Sequence, residues 1–235
     1  MSLLDWIAAL RAPRPEATAD DLDREESARH GIPAGLPSVV IPKPGADILG
    51  ASTLPPTGPA EVLRRVILPT LAVMEREDGI SMDPRATRML LAICGQEADW
   101  RHRDQIYAGK RAGTIGPATG LFQFERAGGV AGVLRHTATA KLARRWCERA
   151  DVKHEADAVW RALVGNDALA CAFARLLLWS DPRALPKTEE AGWEAYLWCW
   201  RPGKPHRPRW SICWAMAEKE LAKAEALSPP KLPSA

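Results

Sequence analysis

The chain has 235 residues, with 32 Lys or Arg against 29 Asp or Glu and a net charge of +3. That length carries one large domain, or one domain with a tail, and so small a charge excess makes no electrostatic claim on nucleic acid. Apolar residues at 46% and charged residues at 26% are ordinary for a soluble globular protein, and no run of about 18 apolar residues is present to span a membrane.

The first residues, MSLLDWIAALRAPRPEA, carry Asp5 inside their apolar part, with no basic region before it and no clear cleavage site after it. They do not read as a secretory signal. Short helices are expected around Leu3–Leu10 and Asp20–Arg29. Pro and Gly are dense from Pro13 to Pro59, which favours extended backbone. Residues 1–60 are therefore expected to form a tail or tether. Its two readings are plain disorder and docking onto a partner.

Helical spacing starts near Glu61. Val62, Leu63, Val66 and Ile67 make one stripe, and Pro69 is expected to kink or end that helix. Asp83 and Pro84 stand as cap and first residue of the next. Leu142, Trp146, Cys147 and Ala150 mark a further helix, and Val159, Trp160, Leu163 and Val164 a shorter one. Asn166 is placed to cap a very apolar helix carrying Leu169, Phe173, Leu176 and Leu177. Trp193, Tyr196, Leu197 and Trp200 recur at helical steps. A last helix follows Pro208 with Trp210, Cys213, Trp214, Ala217 and Leu221 on it. Only the Gly-rich span 113–132 departs from this pattern, and a loop or tiny hairpin is expected there. The expected fold is mainly α, with a helical domain over residues 61–227 and a frayed tail over 228–235.

Two composition signals bear on chemistry. Cys94, Cys147, Cys171, Cys199 and Cys213 are odd in number, lack CxxC spacing and lie in apolar helical contexts, so small core residues are expected rather than disulfides or zinc ligands. Ten Trp stand against three Phe and two Tyr. An indole suits a core with polar edges, the commoner use, and also a sugar-binding cleft. The five His show no metal-ligand spacing, and neither metal nor cofactor is expected.

The candidate site begins at Glu97. In a helix from Pro84, the residues Ala86, Leu90, Ile93 and Glu97 share one face, so a carboxyl extends a buried stripe. Burial against apolar walls disfavours the anion, and a proton held that way near neutral pH can be given to a leaving oxygen. The plain reading is a helix-end glutamate that is solvated or paired with Arg101 or Arg103. Gly95 lets another backbone or a ligand approach.

After a loop comes GPATGLFQFERAGG, and later NDALACAFARLLLWSDPRALP and EAYLWCWRPGKP. A glutamate ending an apolar helix, then Gly-Leu-Phe-Gln, then a buried helix and a tyrosine motif resembles the lysozyme-like superfamily, nearest its soluble lytic transglycosylase and goose-type lysozyme branch. The resemblance covers roughly residues 83–214. Ala98 stands where that family has Ser, and Leu197-Trp198-Cys199 where it has Asn-Ala-Gly. The segments GLFQFERAGGVAGVLRH and WRPGKPHRPRW also resemble proteins of tailed phages and prophages.

The resemblance implies a lysozyme-like multi-helix domain that cuts the β-1,4 glycan of peptidoglycan between N-acetylmuramic acid and N-acetylglucosamine. It implies Glu97 as the catalytic acid, with Gln123, Tyr196, Gly120 and Phe122 as substrate-binding positions. Gln123 is alternatively a structural amide tying loop to helix, and Tyr196 alternatively a core aromatic or the holder of the Glu97 rotamer. Phe122, Phe124 and Trp100 are candidates to line a sugar cleft, each with core packing as its alternative. Inverting hydrolysis needs a second carboxylate roughly 6.5–9.5 Å from the acid. Asp99 points elsewhere on the helix, which leaves Asp104 and Glu125 from the loop. The motif order is nearest the transglycosylases, so the expected product is the 1,6-anhydro sugar.

Arg201, Lys204, His206, Arg207 and Arg209 form a basic run, read as a solvated loop or as a contact for wall-peptide carboxylates ahead of nucleic acid. The expected setting is synthesis in a host cytoplasm, incorporation into a virion and action at the bacterial cell wall, with other phage structural proteins as partners of the N-terminal tail. The alternative is a catalytically inactive structural or adaptor protein of a phage particle. Glu97 lining an open cleft favours the enzyme, and Glu97 sealed by a salt bridge favours the adaptor.

Overall fold

The computed structural model describes residues 54–104 and 116–227. The helices expected near Leu3–Leu10 and Asp20–Arg29, most of the expected tail, and residues 228–235 lie outside the described residues.

The described chain is mainly helical. It enters at Leu54, whose carbonyl accepts from Arg65 at 3.3 Å and Arg103 at 3.2 Å. Helical structure begins with α1 (Pro59–Glu61), passes through a π-helical stretch, Val62–Ile67, and continues as α2 (Leu68–Asp78). Pro69 therefore does not end the helix, one of the two outcomes expected of it; the helix is irregular just before it instead. A proline cannot donate to the residue four back, and its ring crowds that carbonyl. The wider π turn just before it absorbs the conflict: the N–H of Leu68 reaches five back, to Leu63. Val62, Leu63, Val66 and Ile67 stay buried through the change.

Helix α3 (Pro84–Ala98) starts as its sequence predicts, with Asp83 accepting from the Arg85 N–H at 2.7 Å and Pro84 in the first turn. The Gly-rich span holds a minimal antiparallel hairpin, β1 (Ala118–Thr119) against β2 (Phe124–Glu125), paired Ala118 to Glu125 and Thr119 to Phe124. It also holds helical structure that was not expected, a π-helical turn, Arg126–Val130, leading into α4 (Ala131–Arg135). Glycines weaken helix propensity there, but burial of Val130, Val133 and Leu134 outweighs it.

Helices α5 (Ala140–Arg149), α6 (Ala156–Ala162) and α7 (Asp167–Trp179) follow. Asn166 caps α7 by accepting from the Leu169 N–H at 2.9 Å. Residues Leu169 to Ala174 have no exposed surface, so α7 is apolar on all sides and lies inside the core. Elements packed against it include α2, α3, α4 and α5. Two last helices, α8 (Glu189–Trp200) and α9 (Arg207–Ala226), complete the domain.

The most extensive helix–helix contact joins α3 to α9. Gly95 permits it: a Cβ there would fall 2.3 Å from the Trp100 ring and 2.9 Å from Cys213 Sγ. Of the two approaches this glycine was expected to allow, packing is the one that occupies its space. Cys94, Cys147, Cys171 and Cys213 are buried thiols, Cys199 is half-buried, and all five are free. The indole N–H groups of Trp100, Trp146, Trp160, Trp200, Trp210 and Trp214 each find an acceptor, which lets these rings pack without stranding a donor.

Candidate functional site

Glu97 sits in the last turn of α3, and that turn is held on three sides. Asp99 and Trp100 take left-handed backbone (φ 50° and 57°), ending the helix one residue after Ala98. The Trp100 indole folds back over Gly95 and donates to the Leu91 carbonyl at 2.9 Å. Arg209, from α9, donates to the Gly95 carbonyl at 2.7 Å and to Asp99 Oδ1 at 3.0 Å. A side chain on such a support keeps its direction.

The Glu97 carboxyl is half-buried, and its polar partner is the Tyr196 hydroxyl, which donates to Oε1 at 2.6 Å. Tyr196 is itself fixed by aromatic neighbours. Its ring centroid lies 5.1 Å from Trp210, 5.3 Å from Trp193 and 6.4 Å from Trp200. Burial pushes the Glu97 pKa from its ordinary 4.5 up to about 7; the Tyr196 hydrogen bond pulls it down, and the charge of Glu125 adds to the rise. Burial and the neighbouring Glu97 push the Tyr196 phenol upward, so it stays a donor.

No basic side chain pairs with Glu97 among the described residues. The two arginines considered for that role are engaged elsewhere, Arg101 with Asp99 at 3.2 Å and Arg103 with Asp167 at 2.6 Å. Glu97 instead lines an open cleft of about 880 Å³, together with Tyr196, Gln123, Glu125 and Trp200. Its volume falls within the ~300–1,000 Å³ common for ligand sites.

Both loop carboxylates reach this cleft. Asp104 accepts from the Gly116 N–H at 3.3 Å and bridges Thr119, so it holds the start of the hairpin. The Glu125 side chain makes no hydrogen bond or ion pair among the described residues and is exposed. The two-residue period of β2 explains the difference from its neighbour: Phe124 turns into the core and Glu125 turns out.

The other expected site residues divide. Gln123 lines the cleft, but its amide N–H donates to the Gly120 carbonyl at 2.9 Å, closing a turn in which Gln123 itself is left-handed (φ 47°). Gly120 is buried behind that turn. Its φ is +74°, and a Cβ would fall 2.8 Å from the Leu163 carbonyl. Phe122 has no exposed surface and does not reach the cleft; its carbonyl accepts from the Trp200 indole at 3.0 Å. Trp100 is likewise core. Phe124 does line the cleft, edge-on to Phe173.

Trp200 and Arg209 are site residues that were read only as a helix stripe and a member of a basic run. Trp200 falls on the Tyr196 face four residues on, which is the signal that places both beside Glu97. The basic run also divides. Arg207 is paired with Glu189 and Glu190, and Arg209 with Asp99, whereas Arg201 and Lys204 stand exposed at the cleft. Among the described residues no group of three or more His, Cys, Asp or Glu is placed to hold a metal ion, and no helix is long and apolar enough to cross a membrane.

Compared with known proteins, the chain matches no family model, no curated protein and no solved structure.

Proposed function

We propose that this protein cleaves the β-1,4 glycan of peptidoglycan, with Glu97 as the general acid. One observation carries the reading: a carboxyl with a pKa of about 7 lines an open cleft, held by a tyrosine hydroxyl and balanced by no cation among the described residues. A group so poised holds its proton for much of the time at neutral pH and releases it readily to a glycosidic oxygen. Tyr196 is a positioning residue that fixes which oxygen of Glu97 faces the bond.

Glu125 complements it as an exposed carboxylate on the same cleft, near enough to raise the Glu97 pKa. One protonated and one ionised carboxyl is the pairing that glycan hydrolysis uses, the second activating water. The anhydro product was expected from the motif order, with Asp104 and Glu125 left as unplaced candidates for a second carboxylate. Glu125 on the same cleft is a candidate for that role, and the proposed reading therefore moves to hydrolysis and a reducing end. The Gln123 side-chain oxygen faces no donor among the described residues and serves as an acceptor for a sugar hydroxyl. The phage-borne setting rests on the sequence resemblance of residues 120–136 and 200–210 alone.

Mass spectrometry of purified peptidoglycan digested with the protein tests this. Reducing-end muropeptides are expected. Anhydro products, lighter by one water, would take the water-activating role from Glu125 and leave Glu97 as acid. Intact walls after prolonged digestion would end the glycan-cleaving reading.

A further inference from the structure

Helices α2 and α3 both end on a residue in left-handed backbone, and they fill that position differently. Helix α2 closes on Gly79 (φ 70°), the residue type that takes this conformation freely. Helix α3 closes on Asp99 (φ 50°), with Trp100 (φ 57°) left-handed after it. A side chain in that region crowds its own backbone, so two such residues in succession hold strain next to Glu97. Trp100 is locked by its own ring, which lies over Gly95 and donates to the Leu91 carbonyl. Asp99 is half-exposed, and two arginines hold its carboxylate, Arg101 at 3.2 Å and Arg209 at 3.0 Å.

Arg101 belongs to the same turn and moves with it. Arg209 stands on a different helix and is fixed at its root: its N–H donates to His206 Nδ1 at 3.2 Å, and Pro205 and Pro208 stiffen the backbone before it. Its guanidinium reaches the Gly95 carbonyl through Nε at 3.2 Å and Nη2 at 2.7 Å, and Asp99 Oδ1 through Nη2 at 3.0 Å. The His206 carbonyl accepts from the Gln96 amide at 3.3 Å. Residues on both sides of Glu97 are thus tied to the start of α9. The Arg209 and Asp99 side chains keep 38% and 40% of their surface in water, and an ion pair that exposed adds little stability. Glycine at 99 would close the helix without strain. Aspartate strains it, and supplies the carboxylate that Arg209 holds.

We propose that Arg209 is a positioning residue for the cleavage: it holds Asp99 in its left-handed turn from outside the helix, and so fixes the direction in which Glu97 faces Tyr196 and the cleft. The proposal rests on the glycan reading of Glu97, and one arm of its test needs no substrate. In the full-length protein, labelled with isotopic glutamate, the Glu97 carboxyl is titrated by NMR and assigned by its absence from Glu97→Gln. Wild type is expected to titrate at about 7, raised by burial, lowered by the Tyr196 hydroxyl on α8 and raised by the Glu125 charge on β2. In Arg209→Gln the turn relaxes, the carboxyl gains water and its pKa falls towards 4.5. Loss of a cation alone would move it upward. Wall cleavage by the same variant should lose on the order of 10–100-fold in kcat with KM little changed. Adding Asp99→Gly, which takes the left-handed turn unaided, should restore most of both. Arg209→Lys, with one donor head in place of the fork, should fall between, and it carries the same test if circular dichroism shows Arg209→Gln unfolded.

A Glu97 pKa that rises in the Arg209 variants, or stays at the wild-type value, overturns the positioning role. So does a fall that Asp99→Gly leaves in place. A rate loss carried by KM and untouched by Asp99→Gly would make Arg209 a contact for substrate, which overturns the role as well. Walls left intact by the wild-type protein count against the glycan reading alone, because the titration still decides Arg209.

Discussion

Asp78, at the end of α2, and Glu97, at the end of α3, both take a carboxyl group out of water, and their surroundings differ in kind. Asp78 has no exposed side-chain surface and is met by Arg145 at 3.0 Å, by Arg149 at 3.5 Å and by the Trp146 indole N–H at 2.7 Å. Asp167 and Asp181, also deeply placed, have Arg103 and Arg183. Glu97 has a tyrosine hydroxyl and an open cleft. A carboxylate that exists to hold helices together is surrounded by cations, which fix it in place. One left with a neutral donor carries its desolvation as a raised pKa. The comparison places Asp78 in the framework and sets Glu97, the proposed acid, apart from it.

Replacing a carboxylate by its amide should therefore have opposite signs at the two places. Asp78→Asn leaves two guanidinium groups facing a neutral side chain. Because Arg145 and Arg149 retain some contact with water, the expected loss is about 3 kcal/mol rather than more, or roughly 6–12 °C in Tm. Calorimetry of the variant checks it. No change would mean that the Asp78 network is solvated and that the contrast with Glu97 is false.

Glu97→Gln should stabilise, and only where the acid is charged. The folded pKa of about 7 lies above the ordinary 4.5, so the folded state holds the proton more tightly than the unfolded chain. Wild-type stability from this group is complete below about pH 4.5, falls as pH rises towards 7, and is flat beyond. The amide variant should thus match wild type near pH 4 and exceed it by about 2–3 kcal/mol at pH 8. Urea melts at the two pH values measure the difference. A variant that is less stable at pH 8 would reveal a hidden ion pair.

Tyr196→Phe sharpens the comparison with a smaller effect. It removes the one hydrogen bond that favours the Glu97 anion, so the Glu97 pKa should climb above about 7 and the alkaline limb of the pH–rate profile should move up with it. Stability should fall by about 1 kcal/mol. A loss of rate with the limb unmoved would make Tyr196 a core aromatic and nothing more.

Much of the frame was legible because its signals are local. Asp83 and Asn166 announce helix starts within three residues of themselves, and the Trp193–Trp200 stripe repeats within two turns. Pro69 announced a disturbance but not its form: a proline's conflict is local, while the π turn that relieves it is held by tertiary burial of Val62, Leu63, Val66 and Ile67. The helical turn through Gly128 and Gly129 was hidden for the same reason. At the site, the α3 stripe placed Glu97 on a buried face, yet nothing within the stripe pointed to Tyr196, 99 positions away. That pairing was reached through resemblance in motif order, where its other assignments divided: Gln123 reaches the cleft, while Gly120 and Phe122 lie behind it. The Asp78 network went unread, since an acid and two arginines about seventy residues apart carry no periodic signal.

The central claim is that the Glu97 proton breaks a glycosidic bond, and release of soluble muropeptides from purified walls by the wild-type and Glu97→Gln proteins, side by side, tests it most directly. Wild type should solubilise the wall. The variant, folded and at least as stable, should be slower by on the order of 10²–10⁴-fold. Release by the variant at the wild-type rate would contradict the account, because the proton would then come from elsewhere.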